Sequence, residues 1–135
     1  MADPLSSMKG MTDALSAKLT ARGITNTDLY LAAASTPAGR KELVQATGAD
    51  AKAILELANR ADLARVKGIG GVFADLLEAS GVDTVKELAG RVPANLHAKL
   101  TEVNAAKKLS SRTPRLEDVQ QWVAEAKQLP KTLEY

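Results

Sequence analysis

The stretch Val66-Lys67-Gly68-Ile69-Gly70-Gly71-Val72-Phe73-Ala74-Asp75-Leu76-Leu77 decides how this chain folds. Gly68 and Gly70 suit a tight turn, since glycine reaches left-handed backbone angles without steric cost. From Gly71 onward, Val72, Phe73, Leu76 and Leu77 recur at three- and four-residue spacing, which predicts a helix with one apolar face. Ala74 is small enough for a preceding helix to pack closely across the turn. The start of such a helix presents unpaired backbone N–H groups at the positive end of a helix dipole, a combination that suits a phosphate oxygen.

Working outward, the sequence aligns with itself at an offset of 58 residues. Met8-Lys9-Gly10-Met11 then lies on Val66-Lys67-Gly68-Ile69, Leu15 on Phe73, Leu19 on Leu77, Ala21 on Ala79, and Gly23-Ile24 on Gly81-Val82. Such self-similarity indicates an internal duplication. Thr12 and Asp13 occupy the places of Gly70 and Gly71, so the first turn is expected to keep packing and to lose phosphate geometry. Each copy reads as a helix (about 12–22 and 71–80) stopped by a glycine, Gly23 or Gly81. A second helix follows, capped by Asn26 or Thr27 in the first copy and by the Thr84/Glu87 capping box in the second. Thr36-Pro37 and Val92-Pro93 open the next helices, since proline is tolerated at the first helical position. Gly48-Ala49-Asp50 resembles a degenerate further hairpin, with Asp50 capping a helix that carries Ile54, Leu55, Leu57 and Ala58.

The second copy diverges after Asn104, the rough counterpart of Gly48, and inserts a basic stretch from Ala105 to Arg112. Thr113-Pro114 is expected to cap a last helix with the apolar stripe Leu116, Val119, Trp122, Val123, Ala126 and Leu129, ended by Pro130. No stretch alternates with a period of two, so no sheet is expected. The fold expected is all-α: two packed copies of a hairpin unit made of short helices. The first, degenerate copy spans 8–63 and the second, with the intact glycine turn, 64–130; 1–7 and 131–135 read as tails, the latter frayed. Phe73, Leu76, Leu77, Leu88, Leu100, Val119, Trp122 and Val123 are the expected core.

Composition narrows the function. The 135 residues are 45% hydrophobic, a globular value, yet only 3% aromatic. The core must therefore be aliphatic, and a surface that stacks several unpaired bases is disfavoured. There is no cysteine, hence no disulfide framework, thiolate metal site or cysteine nucleophile. The one histidine, His97, has no acid or second histidine near it in sequence, and a structural role suits it better than a ligand or general base. No nucleophile elbow, phosphate-cradling lysine loop or dinucleotide fingerprint occurs, so a non-enzyme is expected, with no cofactor and no metal. The start, Met1-Ala2-Asp3-Pro4, lacks the features of a signal peptide, and no apolar run approaches the ~20 residues that span a bilayer. A cytoplasmic protein without membrane association is the simplest reading.

Net charge is only +2, but it is unevenly spread. Residues 61–90 hold three basic and five acidic side chains, a local balance of −2, whereas residues 91–135 hold eight and five, a balance of +3. Lys107, Lys108, Arg112 and Arg115 form the one basic cluster. If nucleic acid is bound, this segment contributes more charge than the glycine turn does. Asp62, Asp75 and Glu78 read as a solvated acidic face rather than a paired-carboxylate site.

The glycine pattern, with Ala74 and its apolar positions, resembles the helix-hairpin-helix motif of DNA repair and replication proteins. That resemblance implies a turn that grips a backbone phosphate of double-stranded DNA without reading sequence. The residues it assigns are Lys67, Gly68, Ile69, Gly70, Gly71 and Val72. Lys or Arg often follows the second glycine in such hairpins; Gly71 and Val72 stand there instead. The resemblance further implies that carbonyls of the Gly68–Gly70 turn can coordinate a monovalent cation, potassium or sodium. Over nearly the full chain, from Leu15 to Leu129, the layout resembles a bacterial domain-of-unknown-function family with tandem helix-hairpin-helix repeats. The residues carrying this are Thr36-Pro37-Ala38-Gly39-Arg40, Asn59-Arg60-Ala61-Asp62-Leu63-Ala64-Arg65, Gly68-Ile69-Gly70, Leu76 to Thr84, Glu87-Leu88-Ala89 and Trp122-Val123. Two readings stay open at this point: a sequence-independent DNA-binding module, and a protein-interaction scaffold in which the hairpins only pack helices. The sequence fixes neither the partner nor the oligomeric state.

Overall fold

Three threonines and an asparagine set where half of the helices begin. In the computed structural model, which describes residues 3–135, the side-chain oxygens of Thr12, Asn26, Thr36 and Thr84 each accept a backbone N–H three residues on. The donors are Leu15, Leu29, Gly39 and Glu87, at 3.1, 2.8, 3.0 and 3.2 Å. Each cap satisfies a helix-start donor that has no partner within the helix. Among the described residues eight helices result: α1 Asp13–Ala21, α2 Thr27–Ala34, α3 Pro37–Thr47, α4 Ala51–Leu63, α5 Gly71–Ala79, α6 Val85–Ala89, α7 Pro93–Lys107 and α8 Leu116–Gln128. A short 3₁₀ turn, Leu5–Ser7, precedes them. The described residues contain no strand, and no helix among them is long and apolar enough to cross a membrane. Met1 and Ala2, the start of the expected tail, lie outside the described residues.

The helix order repeats. In each half a helix, a glycine stop, a second short helix, a proline-led helix and a long last helix follow one another. Gly10 and Gly68 both have positive φ (95° and 91°), and so do the stops Gly23 and Gly81 (84° and 91°). Gly48 ends α3 in the left-handed region at φ 74°, and Lys108 ends α7 the same way at φ 52°. The counterpart of Gly48 is thus Lys108 rather than Asn104, because α7 runs a turn further than the sequence suggested. Residues 105–107 are consequently helix and not connector. Two further boundaries differ. Asp50 sits at the start of α4 without a capping bond. Helix α8 starts at Leu116, where the Asp118 carboxylate accepts the Arg115 N–H at 3.0 Å, and Thr113 instead takes a bond from Asn104.

Two apolar cores form, one per half. Leu19, Tyr30, Ile54 and Leu57 centre the first, and the buried Tyr30 hydroxyl donates to the Ile54 carbonyl at 2.7 Å. Leu76, Leu77, Leu88, Leu100, Val119, Trp122 and Val123 centre the second, as expected. Phe73 is the exception. It is only half-buried, at the edge of that core with its ring against Trp122.

Both terminal segments of the described residues belong to the fold. Leu5 is buried in the first core. The tail after Pro130 is not frayed: Leu133 is buried in the first core, although the tail leaves from the second half. The Glu134 N–H donates to the Ser35 carbonyl at 2.7 Å, and the Tyr135 hydroxyl to Asn59 Oδ1 at 2.8 Å. Leu77 and Trp122 are fully or almost fully buried. Replacing either with Ala should cost about 2–5 kcal/mol, from lost transfer energy plus the cavity left behind. Chemical denaturation of the two variants checks this; an unchanged midpoint would misplace the core.

Candidate nucleic-acid interface

The turn before α5 is built by its neighbours. Val66 and Ile69 are buried, pinning the loop from beneath, while Lys67, Gly68 and Gly70 are exposed. Ile69 therefore offers the surface its backbone alone, in keeping with the expectation that the turn contributes backbone groups. A side chain at Gly68 would be doubly disfavoured: φ is +91°, and a Cβ would lie 3.2 Å from Trp122 Nε1. The Lys67 N–H donates to Glu125 Oε2 of α8 at 3.0 Å, which ties the turn to the last helix.

Gly70 occupies the cap position of α5, in extended conformation, and nothing lies within 4 Å of the position a Cβ would take. No side chain caps this helix. Among the described residues no acceptor takes the N–H of Gly71, Val72 or Phe73. The first copy differs at this place, since Thr12, the counterpart of Gly70, caps α1 itself. Gly71 is shielded on one side: a Cβ there would lie 1.7 Å from the Ser7 carbonyl oxygen, so the N-terminal turn presses against it. Val72 remains 41% exposed on the other side. Of the two carbonyls that the resemblance assigns to a cation, that of Gly70 already accepts the Ala74 N–H at 2.9 Å.

Opposite this helix start runs the connector from Leu109 to Arg112. The two walls enclose an open groove of about 440 Å³, lined by Gly68, Gly70, Val72 and Phe73 on one side and by Ser110 and Arg112 on the other. The Arg112 guanidinium lies 5.0 Å from the Phe73 ring centroid, and Phe73 in turn lies 5.4 Å from the Trp122 ring. This arrangement sets a cation in a defined place at modest cost. The buried Asn104 side chain holds the connector, accepting the Ser110 N–H at 2.9 Å and donating to the Ser110 carbonyl at 3.2 Å. Neither Asn104 nor Phe73 was picked out as a site residue. A polar side chain in the last turn of a helix, just ahead of a serine-rich loop, was the available signal.

The basic cluster does not act as one. Arg112 faces the groove, whereas Lys107, Lys108 and Arg115 do not line it. Arg115 starts α8 and lies 3.5 Å from Asp118, and Arg112 lies 3.7 Å from the same carboxylate. Asp118 is held below the usual carboxylate range, first by the Arg115 N–H and then by the Arg115 and Arg112 charges. The acidic face is not freely solvated either. Asp75 and Glu78 both pair with Arg60, and Asp62 is buried between Arg65 and the Val85 N–H. Three of the five acids around the hairpin are thereby paired, with two arginines shared among them. No group of three His, Asp or Glu side chains among the described residues is placed to hold a metal ion.

Lys108 is the one non-glycine among the described residues with positive φ. A left-handed residue carries roughly 1–2 kcal/mol of steric cost that glycine avoids. Lys108→Gly should therefore raise stability by about 1 kcal/mol, seen as a higher denaturation midpoint at unchanged slope.

No curated protein and no solved structure matches the chain. A family model does, over residues 9–129, and it describes a domain of unknown function. The chain belongs to that family, DUF4332.

Proposed function

We propose that this protein is a sequence-independent DNA-binding module of the helix-hairpin-helix kind. In this reading a backbone phosphate sits in the groove, bound by the N–H groups at the start of α5 and faced by Arg112. The observation that carries it is the difference between the two copies: Thr12 closes the first helix start with its own hydroxyl, while Gly70 leaves the second one open. A free helix start at the positive dipole end attracts anions. The N–H groups recognise no base, so affinity rests on charge and falls with salt. Lys67 stands at the exposed edge of the turn and adds charge there. The protein then acts by binding and performs no catalysis.

A scaffold function is the second reading, favoured by Ser7 pressing on Gly71 and by the carboxylates of Asp118 and Glu125 close to the turn. One substitution separates the two. Gly70 has extended backbone angles and open space around its missing Cβ, so Gly70→Asp fits without strain and caps the helix. Stability should hold or rise slightly, while affinity for duplex DNA falls about tenfold or more, because the carboxylate takes the N–H groups and repels phosphate. Arg112→Ala should weaken binding equally for unrelated sequences and reduce the salt slope by about one. Fluorescence anisotropy on two unrelated duplexes reads both effects. Unchanged binding in Gly70→Asp, or no binding by the wild type even at low salt, would favour the scaffold.

A further inference from the structure

The tail that follows α8 does more than close the chain. After Pro130 it runs back toward the first half, fixed by the Arg65 bond to the Pro130 carbonyl (2.9 Å) and by Glu134 on Ser35. Between this tail, α6 and the end of α8 lies a cavity of about 370 Å³, apart from the hairpin groove. Its walls are largely aliphatic: Val85, Ala89, Ala126, Leu129 and Leu133. The size and lining are those of a small-ligand pocket.

The charges around it are unbalanced. Lys86 from α6, Lys127 from α8 and Lys131 from the tail all line the cavity, and all three are exposed. None makes an ion pair or a side-chain hydrogen bond among the described residues. Asp62 is the one side-chain carboxylate in the lining, and it is fully occupied. One oxygen is bound by Arg65 at 2.9 Å and the other by the Val85 N–H at 2.9 Å, and the residue is 3% exposed. Arg65 is thereby spoken for as well. Three unpaired ammonium groups thus surround an aliphatic hollow whose lining holds no unpaired acidic side chain among the described residues.

We propose that this cavity binds a small amphipathic organic anion, with an aliphatic body inside and a carboxylate head among Lys86, Lys127 and Lys131. Lysine stems are themselves apolar, so the three side chains can cover the body while their heads meet the anion. Burial of the alkyl chain supplies affinity, and the lysines select the anion over a neutral molecule of the same shape.

Octanoate and 1-octanol provide the test, since they share a chain and differ in the charge of the head. In an amide chemical-shift titration, octanoate should move Val85, Ala89, Ala126 and Leu133 together and bind roughly tenfold more tightly than 1-octanol. The triple variant Lys86→Gln, Lys127→Gln, Lys131→Gln changes exposed positions only, and thermal melting checks that it folds. It should bring octanoate down to the affinity of 1-octanol. Equal affinity of the two probes for the wild type would overturn the proposal. Shifts confined to other surfaces, no shifts at all, or a triple variant that keeps the preference for octanoate would overturn it too.

Discussion

Arg60 holds the two halves of the molecule in register. It projects from α4, the last helix of the first half, and its side chain is 11% exposed. One end of the guanidinium donates to the Lys9 carbonyl at 2.7 Å, just before the first glycine turn; the other donates to Asp75 at 2.9 Å and to Glu78, both on α5. A planar fork of donors suits one cation that must serve a carbonyl and two carboxylates at once. Gly10 lies close beside it, with space for a Cβ only 3.4 Å from the guanidinium. The turn around Gly10 thereby seats, through Arg60, the helix that follows the second glycine turn. The shape of the groove depends on α5 keeping that orientation.

The same contact changes how charge should be read. Counted along the sequence, the hairpin region is acidic, which argues against a polyanionic partner. Folded, Asp75 and Glu78 face Arg60, Asp62 faces Arg65, and the cation that reaches the groove comes from a connector about forty residues away. What is left near the turn is a helix start with open N–H groups, one arginine and one lysine, set against Asp118 and Glu125. For the proposed phosphate contact, this favours modest, salt-sensitive affinity over tight binding.

Most of the fold was legible because helix starts are written locally. Thr12, Asn26, Thr36 and Thr84 act through residues three positions on, and the glycine stops act through their own φ. The geometry of the candidate site was legible where it rests on local backbone, from Gly68 to Val72. It was not legible where distant contacts decide. Phe73 shares the apolar spacing of a core residue, yet it stands at the edge of its core and carries Arg112 on its outer face. Lys108 ends a helix where sequence rules look for glycine, so α7 outran its expected end. The tail around Leu133 has no periodicity at all; its place is set by a hydrophobic slot in the other half of the molecule.

The central claim is that the open start of α5 and the Arg112 connector form one phosphate-binding surface. Amide chemical shifts of the labelled protein, followed while a short duplex of arbitrary sequence is added at low salt, test it most directly. The account predicts shifts at Gly68 to Phe73 and at Leu109 to Arg112, unchanged in pattern for a second sequence and reversed by added salt. Shifts confined to any other face, or none at those residues while the duplex is bound, would contradict it.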